Sequence, residues 1–258
     1  MKEIRYGFTL IEMLVVIAII TLLASLLFPA LSRIKNRALR TVCLSNQRQI
    51  GFSLALYAHD WEDRLPPMDY PRNHFNASHN FYLQQSGRWL GLGRLFDTKV
   101  IEEPKHFYCP SQRSGFFSYP DAWENPKIAP SNSRLCGYFY RIFDQSNPPV
   151  ITEVDVDELN NLRYSNIEHM IALTANIFGP TWWRLEESET WPHRNPLGVN
   201  AAFSDGHASW VDVPEEEYDR AIIASDAYRY AADDYVFLFF QALDNGDFSI
   251  LKSTFPLP

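Results

Sequence analysis

The sequence predicts an α+β protein with a long N-terminal helix that packs on a β-rich head. Three observations predict this class. An uncharged apolar run extends from Met13 to Leu31, and a helical pattern of apolar residues continues beyond it to Tyr57. The chain then changes character, because short strand-like runs are separated by prolines and asparagines.

Composition and charge narrow the classes of function. The 258-residue chain has 46% hydrophobic residues and a formal net charge of -8. An acidic balance provides no broad basic face, so we expect no nucleic acid among the partners. The sequence has neither a GxSxG motif nor a glycine-rich phosphate loop, and it predicts no catalytic residue.

The apolar run is suited to a membrane. Between Met13 and Leu31 only Thr21 and Ser25 have polar side chains, and about 20 such residues cross roughly 30 Å of hydrocarbon. A cleaved secretory signal would need a shorter run and a small-x-small site, which this segment lacks. A plain anchor leaves Glu12 unexplained, because a carboxylate in hydrocarbon costs about 2.5–3.5 kcal/mol or more.

The residues around Glu12 provide an explanation. A short leader, residues 1–7, is followed by the segment Phe8-Thr9-Leu10-Ile11-Glu12. Here the chain closely resembles type IV prepilins and type II secretion pseudopilins. The resemblance implies cleavage after Gly7 by a prepilin peptidase and methylation of the Phe8 amine. It also implies that Glu12 meets the Phe8 amine of a neighbouring subunit, so that both charges are neutralised in the membrane.

The predicted helix covers residues 8–60. Pro29 removes an amide donor within it, so a kink is expected, and the resemblance implies a segment that stretches when subunits pack. Asn46, Arg48 and Gln49 supply polar positions in the second half. The apolar positions that are expected to pack on the head are Ile34, Leu39, Val42, Ile50, Leu54 and Tyr57.

Residues 61–213 are expected to form the head, with a pilin-like α+β fold. Runs 137–142 and 170–173 read as strands, and residues 201–211 read as a hairpin. The pair Asp205-Gly206 predicts a two-residue type I′ turn, in which both residues have positive φ.

Several segments of the head and helix resemble one large pseudopilin-like subfamily. These are Cys43 to Gly51, Cys109-Pro110-Ser111, and the stretch from His193 to Gly206. The subfamily has nine residues between a histidine and the Asp-Gly pair. Here eleven residues separate His193 from Asp205, which weakens any role carried over to His193.

Two groups of residues have side chains that could bind a metal or form a disulfide. His193, Asp205 and His207 have side chains that could bind a metal. However, a hairpin turn is sufficient reason for the pair Asp205-Gly206, and the sequence lacks the HExxH spacing of a metal site. We therefore expect structural roles for these residues and no metal ligand among them. The cysteines lack CxxC spacing and are expected to be buried thiols. A disulfide between Cys109 and Cys136 remains open if the head lies outside the cytoplasm.

Residues 214–258 form a C-terminal extension that is expected to be helical and to pack on the head. Its acidic start is typical of a first helical turn, and the apolar run 235–240 is too short to cross a membrane. The segment Asp244-Asn245-Gly246-Asp247 has oxygen ligands that could hold calcium, but it lacks the spaced acidic ligands of an EF-hand loop, so we expect a solvated turn and no cofactor.

The sequence therefore predicts a structural subunit of a type IV pilus or a type II secretion pseudopilus, with no enzymatic activity. The resemblance implies partners: a prepilin peptidase, other pilin or pseudopilin subunits, and the pilus assembly platform. It also implies one pass through the inner membrane with a periplasmic head, and later a place in a periplasmic or surface filament. Two alternatives stay open: a tethered carbohydrate-binding module that uses Trp182, Trp183 and Trp191, and a metal-dependent hydrolase that uses His193, Asp205 and His207.

Overall fold

The computed structural model confirms the predicted α+β class, with one long helix and a six-stranded sheet. The chain divides into two compact units, Met1–Leu39 and Arg40–Pro258. Gly7, Phe8, Trp182 and Trp183 lie outside the described residues. The structure describes residues 10–67, 79–126, 133–141, 163–167, 170–177, 191–193, 196–220 and 229–254.

Helix α1 extends from Leu10 to Asp60 and contains 51 residues. Its most apolar window has a mean hydropathy of 2.8 and is not buried in the protein. By length and composition, this helix can cross a membrane. Pro29 lies inside the helix and does not end it.

The head-proximal part of α1 has a different buried face from the predicted one. Ile50, Leu54 and Tyr57 are buried as expected, whereas Val42 is 50% exposed. Ile34, in the N-terminal unit, is 62% exposed. The prediction was wrong for Val42, because polar side chains take part in the buried stripe of this part of α1. The buried residues, at helical spacings of three and four, are Cys43, Asn46, Gln47, Ile50, Gly51, Leu54, Tyr57 and Ala58.

Six strands form one antiparallel sheet in the order β2-β1-β3-β4-β5-β6. The predicted runs at 137–142 and 170–173 fall on or next to β3 and β4, and the hairpin at 201–211 is β5 and β6. The bounds are β1 His79–Gln85, β2 Arg88–Trp89, β3 Arg134–Arg141, β4 Ala172–Asn176, β5 Gly198–Phe203 and β6 Ala208–Asp212.

The turn between β5 and β6 differs from the predicted type. The amide of Phe203 donates to the carbonyl of His207 at 2.9 Å, and the amide of Gly206 donates to the carbonyl of Phe203 at 3.0 Å. Of the pair Asp205-Gly206, the glycine alone has a positive φ, at 87°. The two-residue type I′ turn was therefore a wrong prediction, because the chain uses a three-residue loop that ends in a left-handed glycine.

Helical layers cover both faces of the sheet. Cys136, Tyr138 and Tyr140 of β3 belong to a core cluster with α1, whereas the alternating Leu135 and Phe139 belong to a second cluster. That second cluster includes apolar residues of the two C-terminal helices. Other helices within the described ranges are α2 Gly93–Asp97, α3 Asp121–Glu124, α4 Arg229–Asn245 and α5 Ser249–Thr254, residues 216–220 are also helical, and 3₁₀ turns lie at Pro104–Phe107 and Tyr164–Asn166.

Candidate functional site: the N-terminal helix and a buried thiol-imidazole cluster

The membrane-type segment of α1 presents an apolar surface. Glu12 lies in the first turn of the helix, and its neighbours Leu10 and Ile11 are exposed. Large exposed apolar surfaces mark contact with lipid or with other proteins. In the N-terminal unit, the sequence thus provides a contact surface with one carboxylate near its end.

Two polar residues attach α1 to the head. The Asn46 side-chain amide donates to the carbonyl of Tyr108 at 3.1 Å. Gln47 donates to the carbonyl of Asn200 at 3.4 Å and accepts a hydrogen bond from the hydroxyl of Thr174. Buried polar groups require such partners, which explains why Asn46 lies on the buried stripe despite its polarity.

A cluster of two thiols and one imidazole lies between α1 and the sheet. Cys43 comes from α1, Cys109 follows the 3₁₀ turn Pro104–Phe107, and His193 precedes β5. All three residues are buried, and their ligand atoms lie within 4.8 Å of one another. The sulfur of Cys109 lies 3.4 Å from Nε2 of His193. We call these three residues the thiol-imidazole cluster.

Local features position the two loop residues of the cluster. A side chain at Gly137 would lie 3.0 Å from the backbone nitrogen of Cys109, so a glycine in β3 allows this segment to approach the sheet. His193 packs edge-on against Trp210, with ring centroids 5.5 Å apart. The guanidinium of Arg40 in turn lies 4.3 Å from the centre of the Trp210 ring.

Polar groups surround the sulfur of Cys43. The side-chain amide of Asn176 donates to this sulfur at 3.1 Å, and the hydroxyl of Tyr138 lies 3.7 Å from it. Asn176 also accepts a hydrogen bond from the Asn200 amide at 2.7 Å. The side-chain nitrogen of Asn200 lies 3.4 Å from Nε2 of His193. The cluster and these polar residues form one buried network.

The two thiols of the cluster have opposite pKa shifts. For Cys43, burial opposes ionisation, but hydrogen bonds from Cys109 and His193 and the charge of His193 outweigh it, so the pKa lies well below its ordinary value. For Cys109, burial raises the pKa well above the ordinary value, and the neighbouring Cys43 raises it further. Cys43 therefore loses its proton more readily than Cys109 does.

The three cysteines, all in the described part of the chain, are buried free thiols, as expected. The alternative disulfide between Cys109 and Cys136 is not present in the structure. The sulfur of Cys136 donates instead to the carbonyl of Phe107 at 3.1 Å, while the sulfur of Cys109 faces His193. Burial raises the pKa of Cys136, so this thiol stays protonated.

His193, Asp205 and His207 do not form one group. Asp205 and His207 lie on the exposed hairpin, where the carboxylate is 2.5 Å from Nδ1 of His207. Within the described ranges, the group that could hold a metal ion is the thiol-imidazole cluster. The sequence thus pointed to His193 but missed its partners, although Cys43 and Cys109 lie in segments with the same subfamily resemblance.

The carboxylates of Asp244 and Asp247 have hydrogen-bond and ion-pair partners within the fold. Asp247 accepts hydrogen bonds from the amide and hydroxyl of Ser249, at 2.8 and 2.9 Å. Asp244 pairs with Arg141 at 2.6 Å. Neither carboxylate belongs to a metal-ligating group of the described residues. The expected solvated turn was wrong for Asp244, whose side chain is buried because it pairs with Arg141, and nothing tests calcium binding here.

The comparisons with known proteins concern the N-terminal segment. Residues 5–28 match the family described as prokaryotic N-terminal methylation motif. No curated protein and no solved structure matches the chain. Together, the motif and the long apolar helix suggest that the N-terminal segment anchors the chain in a membrane. The motif supports a type IV pilin-like precursor in general and points to a structural protein.

Proposed function

We propose that this chain is a structural pilin-like subunit that assembles through α1 into a type IV pilus or a type II secretion pseudopilus. A prepilin peptidase cleaves it after Gly7, and the new Phe8 amine is methylated. The observation that carries this proposal is the methylation motif at residues 5–28, at the start of a helix that can cross a membrane.

The physical basis of assembly is the N-terminal segment of α1. Its exposed apolar side chains suit lipid before assembly and neighbouring helices afterwards. Glu12 forms an ion pair with the Phe8 amine of another subunit, which removes the free-energy cost of an unpaired carboxylate in hydrocarbon. The other partners are the inner membrane and the assembly platform, with the head in the periplasm before assembly.

No observation favours the two alternative functions. Trp191 is 3% exposed and packs in the core near Tyr218 and Phe239, so this ring is not available to stack on a sugar. Trp182 and Trp183 lie outside the described residues. The hydrolase alternative required His193, Asp205 and His207 to converge, and these residues do not form a metal-ligating group.

The test is mass spectrometry of the mature N-terminus, with the chain expressed beside a prepilin peptidase and its assembly machinery. We expect a chain that begins at methylated Phe8. Cells that lack the peptidase provide the control and should retain Met1 to Gly7. Cleavage at a site after the apolar run would overturn the proposal, because the helix would then be a secretory signal.

A further inference from the structure

We propose that Cys43, Cys109 and His193 bind a zinc ion that fastens helix α1 to the head. Two sulfurs and one imidazole nitrogen form a ligand set that zinc uses in proteins, with a fourth position for water or another donor. Their side chains come from three separate segments, so one ion would join the helix, the loop after the 3₁₀ turn, and the chain that enters β5.

The dimensions of the cluster fit a tetrahedral ion. Zinc lies at about 2.0–2.1 Å from imidazole nitrogen and about 2.3 Å from sulfur, so ligand atoms at tetrahedral angles are roughly 3.3–3.8 Å apart. The Cys109 sulfur and the His193 nitrogen are 3.4 Å apart. All three ligand atoms lie within 4.8 Å of one another, so small side-chain movements close the remaining distance.

A fourth donor lies beside the cluster. Asn200 is fully buried, and its side-chain oxygen has no hydrogen-bond partner in the described part of the chain. An unpaired buried oxygen is unfavourable, and it calls for a ligand or a water molecule. The side-chain nitrogen of Asn200 lies 3.4 Å from Nε2 of His193, so rotation of the side-chain amide would bring its oxygen to the cluster, where the oxygen or a bound water can complete the coordination.

The outer contacts favour a metal over a disulfide between Cys43 and Cys109. Asn176 donates to the Cys43 sulfur at 3.1 Å, and the hydroxyl of Tyr138 lies near the same atom. Such donors stabilise a thiolate that is bound to a metal, and outer hydrogen bonds of this kind orient metal ligands. A disulfide sulfur is a weak acceptor, so it would match the amide donor of Asn176 less well than a metal-bound thiolate does.

The binding step requires only the loss of protons. Zinc binds Cys43 and Cys109 as thiolates and His193 as neutral imidazole, and the protons that these three groups carry without the metal go to solvent. No oxidation is involved. The three ligand residues are buried, so the ion has a structural role and stabilises the folded chain.

The test uses the full chain, purified in detergent without chelators, and measures its metal content by mass spectrometry. We expect about one zinc per chain, as for a structural site. Cys43→Ser, Cys109→Ser and His193→Ala should each remove the zinc. Cys136→Ser is the matched control, because this buried thiol faces Phe107 and should leave the zinc content unchanged.

A second measurement does not depend on the variants. Replacement of zinc by Co²⁺ in the unmodified chain should give the visible bands of tetrahedral cobalt and a sulfur-to-cobalt charge-transfer band. The proposal is overturned if the chain contains no zinc and gives no such bands. It is also overturned if Cys43 and Cys109 react with an alkylating agent only after reduction of the denatured chain, which would identify a disulfide.

Discussion

The carboxylate of Asp244 lies 2.6 Å from a guanidinium nitrogen of Arg141, and both side chains are only 1% exposed. This ion pair joins strand β3 to helix α4. Asp244 also accepts a hydrogen bond from the backbone amide of Ala172 at 2.7 Å, so it contacts two neighbouring strands. The C-terminal helices are therefore held to the sheet by a charged contact as well as by the apolar core.

Asp244→Ala should strongly destabilise the head. The substitution leaves the guanidinium of Arg141 buried without its partner, which costs about 3–5 kcal/mol of unfolding free energy. Denaturant unfolding of the full chain in detergent, followed by tryptophan fluorescence, measures the change. The matched control is the double variant Arg141→Met with Asp244→Leu, which should lose less stability. A single variant within about 0.5 kcal/mol of the unmodified chain would contradict the role of the pair.

Gly7→Val should block maturation. A bulky side chain before Phe8 obstructs the site at which the peptidase cleaves, according to the proposed processing. The N-terminal mass of the chain measures this, and a Gly115→Val chain, which alters a glycine with open space around it, is the control. Normal maturation of the Gly7→Val chain at Phe8 would refute the assigned cleavage site.

Glu12→Leu should separate membrane insertion from assembly. Removal of the carboxylate leaves insertion intact or improves it, because an unpaired charge in hydrocarbon costs about 2.5–3.5 kcal/mol or more. The same change removes the proposed partner of the Phe8 amine, so fewer subunits should enter filaments. Carbonate extraction of membranes and quantification of sheared filaments measure the two effects. Unchanged amounts of the variant in the filaments would argue against the pairing.

Gly206→Val should destabilise the β5–β6 hairpin. The φ of Gly206 is 87°, and a β-branched residue there costs on the order of 1–3 kcal/mol. Its added side chain would also approach the ring of Phe52, which lies 3.5 Å from the expected Cβ position. The unfolding midpoint should fall while cleavage after Gly7 continues. Gly115→Val is the control. Equal unfolding midpoints for the two variants would contradict the prediction that Gly206→Val strains the backbone.

Asp247→Ala should lose stability in a pH-dependent manner. Hydrogen bonds from the amide and hydroxyl of Ser249 lower the pKa of Asp247 below its ordinary value. The contribution of the carboxylate is thus present above the unfolded pKa of about 3.9, and it is lost as the pH falls through the lower folded pKa.

The difference in melting temperature between Asp247→Ala and the unmodified chain should therefore be larger near neutral pH than below about pH 3. Asp219→Ala, at an exposed aspartate, is the control. A difference that is constant across this range would show that the hydrogen bonds do not depend on the charge of Asp247.

The sequence by itself predicted the N-terminal half of α1 and contains the methylation motif that supports a type IV pilin-like precursor. The membrane-type helix can be predicted from the hydropathy of Met13 to Leu31, and the methylation motif can be recognised from the residues around Glu12. Both are properties of consecutive residues, so neither prediction requires knowledge of distant contacts. The hairpin was also predictable from its alternation and from Asp205-Gly206. Its loop length was not, because an Asp-Gly pair is compatible with more than one hairpin turn.

The tertiary structure alone decided which polar residues are buried and what they contact. Cys109 and His193 meet although they are 84 residues apart in sequence, and Arg141 reaches Asp244 across 103 residues. Asn46 lies on the buried stripe of α1 although it is polar, because a backbone carbonyl of the head accepts its amide. Such contacts arise when separate segments pack on the two faces of one sheet, and no local pattern in the chain encodes which segments will be adjacent.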